Sequence, residues 1–301
     1  MNRKVLVTGS NGFIGNHVCS YLRSHGISVI GMGRRDASKG NTDDYVQCDL
    51  LTDNAAEKLG EVRCSEIDAV VHLAADMRHE PHTVDVTMTN CGGTQKLLEL
   101  CEEKGIPKFL QLSSLPVIGK PQKHPITEEH AIRPPTVYHV TKYTQELLAE
   151  YANYTFGLQT MSFRISAPIG LGMNPKTIFP VFINKALRGE ELTLLGKGTR
   201  KQTYIHVRDI AKALYLALES DGQGVYNLSS YNLYSNYELA RKCIEVLGSK
   251  SEIVYLDKDD SMDDYTWDVS LQKIMRDIHF EPEVGMEDAI REYANAIIEK
   301  E

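Results

Sequence analysis

Residues 5–15, VLVTGSNGFIG, constrain the fold more than any other stretch of this chain. An apolar strand pattern runs straight into Gly9, Gly12 and Gly15, and the amphipathic pattern FIGNHVCSYLRSHG takes over from Phe13 and closes at Gly26. A turn between a strand and a helix points free N–H groups and the positive helix end at one spot. A pyrophosphate lies against such a backbone only where side chains are absent. Gly9 supplies the tight turn, Gly12 the close approach, and Gly15 the close packing of helix on strand. The spacing is G-x-x-G-x-x-G rather than the commoner G-x-G-x-x-G. The alternative is a plain helix-start turn. The position between a strand and an amphipathic helix favours a dinucleotide site.

The same rhythm continues. Strand patterns at 27–33, 43–50, 68–75, 108–114 and 158–166 alternate with helical patterns at 52–62, 86–105 and 137–157, the first of these helices opening on Thr52 or Asp53 as its cap. Strict alternation predicts right-handed βαβ units and an α/β fold with a doubly wound parallel sheet of the Rossmann kind. After residue 166 the rhythm loosens. A loop through Pro168, Gly170, Gly172 and Pro175 precedes a helix at 177–189, a strand at 192–195 and a KGTRKQ turn. A strand at 203–207, a helix at 207–220 and a strand at 224–230 follow, then EIVYL as one more strand and two or three helices. The expected organisation is an NAD(P)-binding domain over 1–166, rejoined by some later segments. A smaller interleaved C-terminal α/β substrate lobe covers 167–301.

Composition excludes several classes. A formal net charge of −8 with no Lys/Arg block argues against a nucleic-acid partner. The longest apolar strand, AVVHLAA at 69–75, is too short for a membrane span, and no signal-peptide pattern precedes Val5. Cys19, Cys48, Cys64, Cys91, Cys101 and Cys243 form no CxxC pair and have no histidine at zinc spacing. They read as reduced, mostly buried thiols of a cytoplasmic protein, and no metal site is expected. His72 and His79 read as strand and loop residues, and Glu128 and Glu129 as a solvated loop.

Two further stretches carry chemistry. The second strand ends GMGRRD, where Gly33 leaves room and Arg34 and Arg35 offer guanidinium groups. A guanidinium suits a 2′-phosphate through bidentate hydrogen bonds and stacking on adenine, which favours NADP. Asp36 could serve NAD instead, leaving the arginines solvated. In YHVTK, Tyr138 and Lys142 stand four apart on one helical face. A lysine cation beside a tyrosine favours the phenolate and brings it into working range as a base. Ser113 and Ser114 end a strand whose carboxyl end faces the same crevice.

Together these residues resemble the extended short-chain dehydrogenase/reductase superfamily, of the NAD(P)-dependent epimerase/dehydratase type. TGSNGFIG resembles its TGxxGxxG loop. CDL at 48–50 is similar to its adenine-contacting stretch, HLAA at 72–75 to its cofactor-lining segment, and NCGGTQKLLELCEEKGIPKFLQLSS to its N-x-x-G-T…LSS block. GKGTRKQTYIHVRDIAKAL is similar to its substrate-lobe block. The resemblance implies that Tyr138 is the general acid/base, that Lys142 holds the nicotinamide ribose, and that Ser114 binds the sugar oxygen. It implies a cofactor site of Gly9, Asn11, Gly12, Phe13, Ile14, Gly15, Arg34, Arg35, Asp49, Leu50, Leu73, Ala74, Ala75, Asn90, Ser113, Tyr138, Lys142 and Pro168. Helices at 86–104 and 137–156 resemble those of a four-helix dimer interface, so a homodimer is expected.

The implied reaction is hydride transfer on a nucleotide-linked sugar through a 4-keto species. Members that dehydrate carry an Asp-Glu pair after the serine, where this chain has Leu115 and Pro116, so a 4,6-dehydratase is not expected. Epimerase and reductase both remain. The substrate lobe departs from the family at Ala167, where an asparagine is usual, and at Gln202, where an arginine usually grips the diphosphate. No arginine stands just ahead of Asp268. Arg200 or Lys201 takes the anion instead, or the turn is simply solvated; Arg200 and Gln202 are the expected substrate residues. Trp267 and the tyrosines at 231, 234 and 237 line the substrate lobe or merely pack there. The alternatives are an NADPH-dependent reductase of a non-nucleotide carbonyl compound and a non-catalytic cofactor sensor. Tyr138, Lys142 and Ser114, all present, favour an enzyme.

Overall fold

The computed structural model describes residues 3–60, 67–77 and 84–299. His79 and Cys64 lie outside the described residues. The first half runs β1 (Lys4–Thr8), α1 (Phe13–Ser24), β2 (Ser28–Gly33), β3 (Asp44–Gln47), α2 (Ala55–Leu59) and β4 (Ala69–His72). It continues with α3 (Val84–Thr87), α4 (Gly93–Lys104), β5 (Lys108–Ser114), α5 (Val137–Phe156) and β6 (Gln159–Ile165). The second half holds β7 (Ala167–Ile169), α6 (Ile178–Arg188), β8 (Leu192–Leu194), β9 (Lys201–His206), α7 (Val207–Glu219) and β10 (Gly224–Leu228). It ends with β11 (Asn232–Ser235), α8 (Asn236–Leu247), β12 (Ile253–Tyr255), β13 (Thr266–Trp267), α9 (Gln272–Ile278) and α10 (Met286–Ile298).

Seven strands form one sheet in the order β10-β6-β5-β4-β1-β2-β3. Every pairing in it is parallel. This is the doubly wound α/β sheet that the alternation predicts. The strand order reverses between β1 and β4, which opens a crevice at their carboxyl ends. One face of the sheet packs Val18, Cys19 and Leu22 of α1 against Ile210, Leu214 and Ala217 of α7. The other buries Leu97, Leu98 and Cys101 of α4 with Ala152 of α5. A separate core joins Phe179, Phe182 and Ile183 of α6 to Leu239, Cys243 and Ile290.

Several local expectations needed correction. The cap of α2 is Asn54, whose side chain accepts from Ala56 and Glu57 N–H. Asp53 is not free to cap, because its carboxylate accepts from the Asp49 N–H at 2.8 Å. The helical pattern at 86–105 is interrupted by a π turn at Met88–Gly92. A Cβ on Gly93, just after it, would lie 2.9 Å from the Leu50 side chain, so glycine lets α4 close on the rim of the crevice. Glu128 is not solvated: it accepts from the Asn227 N–H of β10 at 2.8 Å. Strands β7, β11 and β13 all pair with β9 and form a second sheet that the sequence pattern did not reveal.

Candidate active site

A cleft of about 700 Å³ runs along the carboxyl ends of β1, β2, β4 and β5 and under the loop after β6. Gly9 turns the chain out of β1 with φ +69°, and its N–H donates to the Met32 carbonyl at 2.8 Å. A Cβ there would stand 2.8 Å from the Ala74 nitrogen, and one on Gly15 would stand 2.2 Å from the Gly9 carbonyl. Gly9 is therefore demanded by how closely the loop passes the segment after β4, and Gly15 by how closely α1 meets the loop. Gly12 precedes α1, whose first turn has no side-chain cap. An uncapped helix start in a cradle free of side chains fits a pyrophosphate.

Most of the expected cofactor residues border this cleft: Gly9, Asn11, Gly12, Phe13, Ile14, Gly15, Arg34, Arg35, Asp49, Leu50, Leu73, Ala74, Ala75, Ser113, Tyr138, Lys142 and Pro168. At the outer end Arg34 and Arg35 are exposed on its wall, whereas Asp36 is not among the lining residues. Asn11 does more than border the cleft. Its amide donates to the Ala37 carbonyl and the Tyr45 hydroxyl, and its oxygen accepts from the Lys39 N–H at 2.9 Å. It ties the glycine loop to the arginine loop.

Two residues sit differently from expectation. Asn90 is wholly buried and is not part of the cleft wall. Its amide oxygen accepts from the Asp76 N–H at 2.7 Å, and its nitrogen donates to the Asp76 carbonyl and the Thr141 hydroxyl. It clamps the segment after β4 to the helix bearing Lys142. Ser113 borders the cleft, but its hydroxyl donates to the Glu146 carboxylate.

At the inner end Ser114, Tyr138 and Lys142 converge. Thr136 caps α5 and accepts from the His139 N–H, which sets the first turn and the tyrosine with it. The Lys142 ammonium lies 5.9 Å from the centre of the Tyr138 ring and donates to the Leu112 carbonyl at 2.9 Å. Burial pushes Lys142 down to about 8 and Tyr138 up to about 12. The expected lowering of the tyrosine is thus not met in this arrangement. Desolvation of the phenolate dominates. His72 is buried, and desolvation first, then the Lys142 charge, pushes it down to about 3. Its Nδ1 meets the Thr8 hydroxyl at 2.7 Å and its Nε2 the Thr94 hydroxyl at 3.0 Å, a core role.

On the substrate side Arg200, Gln202, Thr203, Ala167 and Trp267 line the cleft. Arg200 carries a buried Nε–H with no partner among the described residues. Lys201 is not on the wall and pairs with Glu238 at 3.4 Å. Gln202 donates to the Tyr204 hydroxyl at 2.6 Å. Tyr231, Tyr234 and Tyr237 lie off the wall. Leu115 and Pro116 are on it, and so are Asp76 and His139. Sequence reading missed the last two. His139 stood inside the quoted YHVTK, and Asp76 follows HLAA directly.

The NAD dependent epimerase/dehydratase family model matches residues 5–229. The chain belongs to that family. Over 302 residues it is 30% identical to the low-salt glycan biosynthesis protein Agl12 of Haloferax volcanii, covering 95% of this chain and 96% of the relative. It is 28% identical to a dTDP-glucose 4,6-dehydratase of Streptomyces griseus, covering 96% and 92%. Among solved structures, the UDP-N-acetylglucosamine 4-epimerase of Methanobrevibacter ruminantium in complex with UDP-N-acetylmuramic acid superposes with a TM-score of 0.88 at 25% identity, covering 100% and 99%. Family membership makes an NAD-dependent enzyme of the epimerase/dehydratase type the coarse identity. Dehydratases stand among its relatives, so the replacement of an acidic pair by Leu115 and Pro116 does not by itself settle the reaction.

Proposed function

We propose that this chain is an epimerase or reductase of a nucleotide-linked sugar, working through a 4-keto species. The observation that carries the reading is that Ser114, Tyr138 and Lys142 line the same cleft as the glycine loop. A nicotinamide dinucleotide bound there supplies the hydride acceptor and donor. Ser114 holds the reacting sugar oxygen, and Tyr138 takes and returns its proton. Lys142 holds the ribose and, with its ammonium drawn towards the phenol oxygen, lowers the cost of the phenolate. Arg200 meets the diphosphate, which would satisfy its unpaired Nε–H. The lobe over 167–301, less β10 and the helices α7 and α9 that pack on the main sheet, takes the sugar end.

Arg34 and Arg35 on the wall, with Asp36 off it, favour NADP and hence the reductase reading, against the NAD dependence in the family's description. A panel of UDP- and dTDP-sugars and their 4-keto forms, assayed with NAD and with NADPH, separates epimerisation, reduction and dehydration. Tyr138→Phe should lose at least about a hundredfold in turnover while binding the cofactor nearly unchanged. A variant turning over near the wild-type rate would sink the assignment.

A further inference from the structure

The Lys142–Ser114 end of the cleft rests on a buried ion pair that the reaction scheme does not use. Glu146 and Arg164 are both buried, with Arg164 NH2 2.7 Å from Glu146 Oε2 and Nε 2.9 Å from Oε1. Arg164 also donates to the Glu128 carbonyl at 3.0 Å. The carboxylate accepts one more hydrogen bond, from the Ser113 hydroxyl. Ser113 stands between Leu112, whose carbonyl receives the Lys142 ammonium, and Ser114 on the cleft wall. Glu146 is also one helical turn beyond Lys142 on α5, the spacing that puts two side chains on one face.

We propose that Glu146 is a positioning residue of this site, fixing through Ser113 the end of β5 that presents the Leu112 carbonyl to Lys142 and Ser114 to the cleft, and standing as the anion one turn from the Lys142 ammonium. The proposal rests on the reading of the cleft given above. The groups facing Lys142 support it. From β4 comes His72, neutral because burial pushes it down to about 3; from the π turn, Cys91; from α5 itself, Tyr138 and Glu146. Cys91 is a thiol that burial pushes up and so keeps protonated. Against the desolvation of Lys142 act Cys91 and then Glu146, and Glu146 is the carboxylate of this set, ion-paired with Arg164. Three hydrogen bonds from Arg164 hold the carboxylate in one place.

The test needs no sugar substrate. Lys142 is titrated by trace acetylation with acetic anhydride across pH 6–11, read by mass spectrometry, and NADH and NADPH are titrated by fluorescence. Glu146→Gln should lower the Lys142 midpoint by about one pH unit, a tenfold loss of proton affinity. Ser113→Ala keeps the ion pair but cuts its link to β5. It should weaken the tighter-binding dinucleotide about fivefold, the effect of one hydrogen bond, and Ser113→Thr should restore it. A merely structural carboxylate would leave the Lys142 midpoint in place. If Glu146→Gln does not fold, the alanine and threonine variants decide alone. An unmoved midpoint together with unmoved affinity overturns the proposal while leaving the cleft reading intact. Wild-type protein that binds neither dinucleotide overturns the cleft reading, and the proposal falls with it.

Discussion

At the residue scale the sharpest electrostatic tension lies at Lys142. Its ammonium is buried and is held down to about 8 from an ordinary value of 10.5. The unfolded chain therefore binds more protons than the folded one between those two values. Stability must rise as pH climbs through about 8 towards 10.5, and below 8 the full penalty of a buried cation is present. Lys142→Met should melt higher than wild type at pH 7, by up to about 3 kcal/mol, and the gap should close as pH approaches 10. Thermal melts at pH 7 and pH 10 check this; a gap that widens with pH would refute it. The same variant should lose catalysis, the trade-off expected where a site is built against stability. Arg34 makes the second residue-scale prediction. Arg34→Ala should weaken NADPH binding about tenfold or more and NADH binding little. Equal losses would mean that the arginines do not read the 2′-phosphate.

At the scale of elements, the glycine loop and α1 form one device. A methyl group on Gly15 would need to occupy space 2.2 Å from the Gly9 carbonyl, so α1 would have to retreat from β1. Gly15→Ala should destabilise the fold by about 1–3 kcal/mol and abolish dinucleotide binding. Calorimetric melts and an NADH titration on the same sample read both effects. Helix α5 is the second device: it carries Tyr138, Lys142 and Glu146 at intervals of one turn and presents them to the ends of β4 and β5. These elements were legible because glycine spacing and helical period are local signals. The short strands were not. β7 and β13 hold three and two residues, too few for any period, and exist because β9 offers its edges. The π turn was likewise hidden, since Asn90 in it and Gly93 just after it answer to Asp76, Thr141 and Leu50, all outside the turn in the chain.

At the scale of the whole molecule, α5 also carries an exposed apolar stripe. Val140, Leu147, Tyr151 and Tyr154 recur at seven, four and three residues and therefore share one face, with Tyr154 91% exposed. All four side chains are exposed. Such a stripe fits a second copy, and the expected homodimer would be built on it. Sedimentation should give twice the chain mass, and Leu147→Asp with Tyr151→Asp should return a monomer that keeps its fold. A wild-type monomer would remove the dimer from the account.

Sequence by itself determined the alternating α/β plan, the glycine cradle and the tyrosine–lysine face, because each is written in residues within one turn or one strand of one another. Tertiary structure decided the rest. It put Arg200 rather than Lys201 on the cleft wall, with Lys201 paired to Glu238 instead. It withdrew Asn90 into a clamp and turned Ser113 towards Glu146. It also placed the Lys142 ammonium 5.9 Å from the centre of the Tyr138 ring. Those outcomes depend on which neighbours a buried polar group can reach, and in a closely packed interior the neighbours come from strands and helices scores of residues away.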